Sequence, residues 1–166
     1  MRTLYAWPMA ALLLLSGCSS YNKEQAMTQL QIRQLQTRTL HTDDTKVAMK
    51  SILNTFQDEG FVLKNVDSNL GVLVATKEAS VEKASSKFWS IFLWGSDARW
   101  DKNTVIEASA TLTPVGDEHH LRVNFQRKTL NNVGVPASIE NVLNEHFYQD
   151  FFAKVEKALF IQQEIL

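Results

Sequence analysis

The sequence predicts an α+β fold: an antiparallel sheet of four or five strands with helices packed mainly on one face. The first observation is an alternation of apolar and polar side chains within residues 104–114 and 119–130, which is typical of strands with one buried and one solvated face. The second is a helical spacing of apolar residues over 144–160, at the end of the chain. The third is the order of the segments, with strands in consecutive pairs between helices.

The first part of the domain is predicted to hold a strand and a helix. Residues 33–41 favour a strand, and Thr42–Asp44 supplies a cap and first-turn acids for a helix that runs to about Asp58. Gly60 is expected to end this helix. The inward side chains recur at i, i+3, i+4 and i+7, and they are Met49, Ile52, Leu53 and Phe56.

Two pairs of strands follow in the pattern. Residues 61–66 and 71–77 predict a hairpin with its turn at 67–69, where Asp, Ser and Asn cluster. The long strands 104–114 and 119–130 come later. Their inward side chains are expected to be Ile106, Ala108, Ala110, Leu112, Leu121, Val123 and Phe125.

The closing helix has the clearest signal in the chain. Asn144 is a suitable N-cap and Glu145 lies in the first turn, where an acid is favourable. Its apolar stripe is rich in aromatic residues, which indicates core packing. The stripe consists of Tyr148, Phe152, Val155 and Leu159, flanked by Phe147 and Phe151.

A further helix is predicted over residues 79–93, with Val81, Ala84, Phe88 and Phe92 as its inward stripe. Phe88–Trp94 breaks the pattern, because its apolar side chains occupy nearly the full circumference of a helix. Three interpretations stay open: core, a protein dock, or a wedge that touches the membrane. The candidate contact surface consists of Trp89, Phe92, Trp94 and Trp100.

The amino terminus has the layout of a secretory signal, with one basic residue, an apolar run and then small residues. The apolar run is shorter than the roughly 20 residues that a transmembrane helix needs. Leu15–Cys18 (LSGC) resembles the bacterial lipobox. The resemblance implies cleavage before Cys18, a diacylglycerol on its thiol and acylation of the new amine. The predicted division is therefore a signal peptide at 1–17, a lipidated cysteine and polar tether at 18–35, and one α+β domain at 36–166. The tether is expected to be either partly helical or flexible, because its apolar pattern is broken.

Two longer resemblances extend this picture. Residues 56–78 and 121–160 are similar to a group of small uncharacterised bacterial lipoproteins, from which no catalytic residue follows. The order of elements resembles the helix-grip domains of a lipoprotein in the outer-membrane β-barrel assembly machinery, which implies a scaffold or interaction role.

Location and partners follow from these features. The resemblance to lipoproteins implies a chain in the periplasm, held to the membrane by lipid on Cys18. Ser19 after that cysteine favours the outer membrane under the enterobacterial sorting rule. The formal net charge is −1 for the whole chain and about −2 without residues 1–17, which is too balanced to indicate nucleic acid or an anionic membrane as an electrostatic partner. An envelope protein is the expected partner.

The residue patterns predict no catalytic residue, no cofactor and no metal site. The four histidines are His41, His119, His120 and His146. His119 and His120 are adjacent, so they would point to opposite faces of a strand, and a solvated turn is expected there rather than a metal site. Motifs for phosphate loops, nucleophile elbows and zinc proteases are absent from the sequence.

The sequence therefore predicts a membrane-anchored periplasmic lipoprotein that acts as a non-catalytic interaction or scaffold module of a cell-envelope complex. The alternative is a carrier of lipid or another apolar ligand, with a cavity between sheet and helices. That cavity would be lined by Phe61, Leu73, Phe125, Phe151 and the tryptophans. An envelope enzyme, its site assembled from distant residues, is the third interpretation.

Overall fold

The computed structural model describes residues 27–79, 104–131 and 133–165, and these form an α+β fold with an antiparallel sheet. The helices are α1 (Gln29–Leu35), α2 (Thr45–Asp58) and α3 (Glu145–Ile165). The strands are β1 (Thr37–Leu40), β2 (Val62–Asp67), β3 (Val72–Ala79), β4 (Thr104–Val115), β5 (Glu118–Leu130) and β6 (Pro136–Asn141).

The strand order is β1-β5-β4-β3-β2, and β6 also pairs with β5. β5 is 13 residues long, so that β1 pairs with its first part and β6 with its last. Among the described residues the sheet thus has five strands in its main order, as predicted, and β6 as a sixth that the sequence did not predict. All six β6 residues are exposed, so the strand shows no alternation by which the sequence could reveal it.

The core lies against one face of the sheet, with Phe125 near its centre. Every second residue of β4 is buried from Thr104 to Leu112, and the same holds along β5 from His119 to Phe125. The ring of Phe125 lies 6.1 Å from Phe56 of α2 and 5.1 Å from Phe151 of α3. Both helices therefore pack against the Phe125 face. The helix predicted over 79–93 lies, apart from Ala79, outside the described residues, so the gathering of all helices on one face stays a prediction.

Local chemistry places the helix ends where the sequence predicts them. The Asp44 carboxylate accepts hydrogen bonds from the backbone N–H of Lys46 and Val47 at the start of α2, at 2.7 and 3.1 Å. Gly60 has φ of +80°, a conformation that favours glycine, and it follows the last turn of α2. The Asn144 side chain accepts from the Phe147 N–H at 3.0 Å and so caps α3.

The strand predicted over 33–41 is only partly correct. Its first residues belong to α1, and the strand itself begins at Thr37. A capping box starts α1: Thr28 accepts from the Gln31 N–H, and the Gln31 side chain accepts from the Thr28 N–H. α1 lies within the range assigned to the tether, yet Leu35 packs against the core. In the described part of the chain, no helix is both long and apolar enough to cross a membrane.

Candidate functional site

The site residues predicted from the sequence lie outside the described residues. They are Cys18, Trp89, Phe92, Trp94 and Trp100. The lipidation site and the tryptophan contact surface therefore stay predictions, and the described residues present a different candidate site.

An open groove of about 410 Å³ lies between α1, β1 and α3, and we call it the α1–α3 groove. Its volume falls within the range of about 300 to 1,000 Å³ that is usual for small-ligand sites. The lining combines apolar side chains with three glutamine amides and two charged groups. It consists of Met27, Gln31, Gln34, Leu35, Thr37, Arg38, Glu145, Tyr148, Gln149 and Phe152.

Arg38 is the cation of this groove. Its guanidinium lies over the Phe152 ring, 5.4 Å from the ring centroid. The Nε atom of Arg38 lies 3.4 Å from a carboxylate oxygen of Glu156. This nitrogen is buried, and it makes no hydrogen bond in the described part of the protein. A buried donor without an acceptor is costly, but this nitrogen is closed to solvent. The Arg38 side chain as a whole is 41% exposed, so the rest of its guanidinium can still take an anionic or carbonyl partner beside Glu156.

The wall beside Arg38 is a buried polar seam at the edge of β5, between the segments that pair with β1 and β6. The Tyr148 hydroxyl accepts a hydrogen bond from the Phe125 N–H at 3.3 Å. The Gln36 carbonyl accepts from the Val123 N–H at 2.8 Å, and its side-chain amide donates to Asn124 at 3.1 Å. These groups accept the β5 backbone hydrogen bonds that a neighbouring strand would otherwise accept, so hydrogen bonds from several elements hold the groove wall in place.

Burial raises the pKa of the Tyr148 phenol, which therefore keeps its proton. Hydrogen bonds from the Phe125 backbone and the Gln36 side chain, and the positive charge of Arg122, oppose this rise to a smaller extent. The helical spacing placed Tyr148 in the apolar stripe but indicated no partner for its hydroxyl. One signal in the sequence could have indicated a partner: Tyr148 is the only tyrosine in a stripe of phenylalanines, and a buried tyrosine hydroxyl usually has a hydrogen-bond partner.

The prediction of a solvated turn at the adjacent histidines is wrong for His119. This side chain is only 2% exposed. Its Nδ1 donates to the Thr42 carbonyl, and its Nε2 lies 2.8 Å from the Thr45 hydroxyl. His119 thus joins the start of β5 to the start of α2. His120 is exposed, because adjacent residues of a strand point to opposite faces of the sheet.

Among the described residues, Lys77 is the other group with a perturbed pKa. Burial lowers the pKa of its amine, the nearby Lys154 lowers it further, and the Glu59 carboxylate partly restores it. The Lys77 ammonium donates to the Glu59 carbonyl at 2.6 Å, and Lys154 donates to the Glu59 carboxylate at 2.5 Å. Lys77 therefore caps the carboxyl end of α2, which is a structural role.

Two further arrangements bear on the functional alternatives. Within the described ranges, no cluster of three or more His, Cys, Asp or Glu side chains could hold a metal ion.

The space proposed for a carrier cavity is filled with side chains where the structure describes it. Phe61 and Phe125 lie 6.1 Å apart, Phe125 and Phe151 5.1 Å, and Leu73 is 1% exposed.

No family model matches the sequence, and no curated protein matches it. Among solved structures, the chain is similar to a DUF4468 family protein from Bacteroides ovatus, with a TM-score of 0.43 and 9% sequence identity. The match covers 74% of this chain and 84% of that chain. A similarity this low carries no functional inference.

Proposed function

We propose that this protein is a periplasmic lipoprotein, anchored by lipid on Cys18, and that its domain is a non-catalytic interaction module of a cell-envelope complex. The α1–α3 groove is the proposed contact surface. The resemblance of Leu15–Cys18 to a lipobox supports the anchor. The chain from Cys18 to Met27 spans at most about 30 Å when fully extended. Because Met27 lines the groove, the groove would lie close to the membrane surface.

The observation that carries this proposal is the contrast between the filled interior and the groove at the surface. Aromatic rings occupy the space that an apolar ligand would need, and this disfavours the carrier alternative. The groove is open and mixes apolar side chains with amides and charges, as protein interfaces do. Arg38 adds a half-buried cation beside Glu156, and arginine is enriched at interface hot spots.

Site-specific photo-crosslinking in intact envelopes tests the proposal. A photoreactive residue replaces Gln34, which is exposed and lines the groove. The matched control replaces Ser109, which is exposed on the opposite face of the sheet. We expect a discrete protein adduct from position 34 and none from position 109. Identical patterns at both positions would refute the groove as the contact surface, and adducts with lipid alone would favour a carrier.

The tryptophan surface is a second part of the same proposal. We propose that Trp89 and Trp94 contribute contacts with a partner, because the predicted inward stripe is complete without them. Replacing both by alanine should reduce recovery of partners and leave the thermal stability within about 0.5 kcal/mol of wild type. A variant that unfolds would show that these residues are core.

A further inference from the structure

The outer edge of β6 presents backbone groups that point away from the sheet. Opposed residues of an antiparallel pair alternate between those that exchange backbone hydrogen bonds and those that do not. The Val142 N–H donates to the Phe125 carbonyl at 2.9 Å, and this bond fixes the phase of the alternation between β6 and β5. Three positions along the ladder, Ile139 opposes Lys128 as a pair without mutual hydrogen bonds. The N–H and C=O of Ile139, and likewise those of Asn141, therefore point away from β5.

This edge has no partner strand within the described part of the chain. The outward backbone groups of Ile139 and Asn141 make no hydrogen bond to another described residue. All six residues of β6 are exposed, and the side chain at its centre, Ile139, is 56% exposed although it is apolar. A row of unpaired N–H and C=O groups is a template for pairing with a further strand.

The opposite edge of the sheet, β2, is less suited to such pairing. Its register with β3 shifts between Leu63 and Asn65, so Lys64 lies in an irregularity at the middle of the strand. A bulge and a lysine both discourage the addition of a strand. The register shift of β6 lies at its start instead, and Ser138–Asn141 keeps a regular pairing with β5.

Charge favours a second copy of the same chain as the strand that pairs with β6. Residues 129–139 contain no charged side chain, so two copies of this segment do not repel each other. The nearest acid, Glu140, forms an ion pair with Arg127 of its own chain. The approach of β6 to β6 therefore brings no unpaired charges together.

The same residues select the register of the pair. With Ile139 on a twofold axis, its outward N–H and C=O can exchange two hydrogen bonds with Ile139 of the second copy, and Glu140 lies opposite Ser138. With Glu140 on the axis, two carboxylates would lie directly opposite each other, which is destabilising. The first register satisfies the outward backbone groups without this repulsion.

We propose that a second copy of this chain docks on β6 by antiparallel strand pairing, with Ile139 on the twofold axis. The dimer has one sheet that continues across both copies. The contact requires neither the lipid anchor nor the α1–α3 groove. One short strand on each side buries less than the roughly 1,600 Å² of a standard interface, so the dimer is weak and is best measured by covalent trapping.

Disulfide trapping of the full chain, in the cell fraction where it resides, tests this contact. The Cα atoms of a hydrogen-bonded antiparallel pair lie about 5.5 Å apart, within the range of about 4.4 to 6.8 Å that a disulfide spans. Ile139→Cys, oxidised by dissolved oxygen with a copper catalyst, should therefore give a covalent dimer on non-reducing gels. The control is Val62→Cys, because Val62 is apolar, 61% exposed and on the other edge strand. We expect about tenfold more dimer from Ile139→Cys, above the background of wild type, whose single cysteine is Cys18.

A second pair of variants tests the register. In the proposed dimer, Ser138 lies roughly 8 Å from Ser138 of the second copy, which is too far for a disulfide. It lies directly opposite Glu140 of the second copy, and both positions are exposed. Two copies with different tags, one with Ser138→Cys and one with Glu140→Cys, should give about tenfold more mixed dimer than either self-dimer.

Equal dimer yields from Ile139→Cys and Val62→Cys would overturn the proposal, because random collisions would then explain both. Failure of Ser138→Cys and Glu140→Cys to give an excess of mixed dimer would also overturn it. An adduct of Ile139→Cys with a different protein, in place of the dimer, would show that β6 takes a foreign strand and not a second copy. None of these outcomes bears on the groove, since the photo-crosslinks from position 34 decide the proposed function separately.

Discussion

The Tyr148 hydroxyl offers the sharpest test of how the groove wall is built. Tyr148→Phe removes one oxygen and leaves the ring in place. The ring contacts with Phe125 at 5.6 Å and Phe152 at 6.2 Å are retained, so no cavity forms. The Phe125 N–H, however, loses its acceptor inside the protein. Leaving a buried donor unsatisfied costs about 1 to 3 kcal/mol, and we expect the free energy of unfolding to fall by that amount.

Urea denaturation at pH 8 measures this loss. Thr113→Val removes a hydroxyl from an exposed residue of β4 and serves as the control, with a change of no more than about 0.5 kcal/mol expected. If Tyr148→Phe is as stable as wild type, the hydrogen bond between the Phe125 N–H and the Tyr148 hydroxyl does not stabilise the fold, and the reasoning is refuted.

The same residue predicts a pH dependence with a definite sign. Burial raises the pKa of Tyr148 above its ordinary value of 10.0, so the unfolded chain loses this proton first as the pH rises. The Tyr148 contribution is complete below pH 10 and declines above it, and the stability difference from Tyr148→Phe should narrow there. In protein that starts at residue 18 and carries Tyr21→Phe, tyrosinate absorbance reports Tyr148 alone. Ionisation at or below pH 10 would contradict the raised pKa.

Three other changes test the anchor and the core. Cys18→Ser should release the protein from the membrane fraction, because each buried methylene of the acyl chains contributes about 0.8 kcal/mol; a variant that resists carbonate washing would refute lipid anchoring there. Phe152→Ala should cost about 3 to 5 kcal/mol in urea denaturation, because the ring is 1% exposed, and a near-wild-type value would show that α3 is not part of the core. His119→Ala should cost about 1 to 3 kcal/mol by leaving the Thr42 carbonyl without its donor. His120→Ala, at an exposed position, should change the free energy of unfolding by no more than about 0.5 kcal/mol. Equal losses of stability in the two histidine variants would contradict the burial of His119.

Short-range patterns account for most of the elements that the sequence predicted. Alternation marked β4 and β5 because each has one face in the core, and the caps Asp44 and Asn144 marked two helix starts. These signals depend on residues a few positions apart. The sequence left α1 open as either partly helical or flexible, because its capping box uses glutamine and threonine within a polar stretch that has only a broken apolar pattern.

The groove and its wall could not be predicted in the same way. The groove combines α1 and β1 with α3, more than 100 positions later in the chain. The His119 partner Thr42 is 77 positions away, and the Tyr148 partner Phe125 is 23 positions away. No local periodicity carries information on such pairs, because the strand order brings them together.

The sequence alone determined the α+β class, the two long strands, the aromatic stripe of α3 and the prediction of a lipid anchor at Cys18, since each depends on neighbouring residues and their spacing. Tertiary structure alone decided the position of β6 beside β5, the burial of His119 and the acceptor role of the Tyr148 hydroxyl. It also placed Arg38 in a groove with a buried donor that has no acceptor among the described residues. The physical reason is that burial and hydrogen-bond satisfaction depend on which distant segments meet, and β5 pairs with three other strands of the sheet.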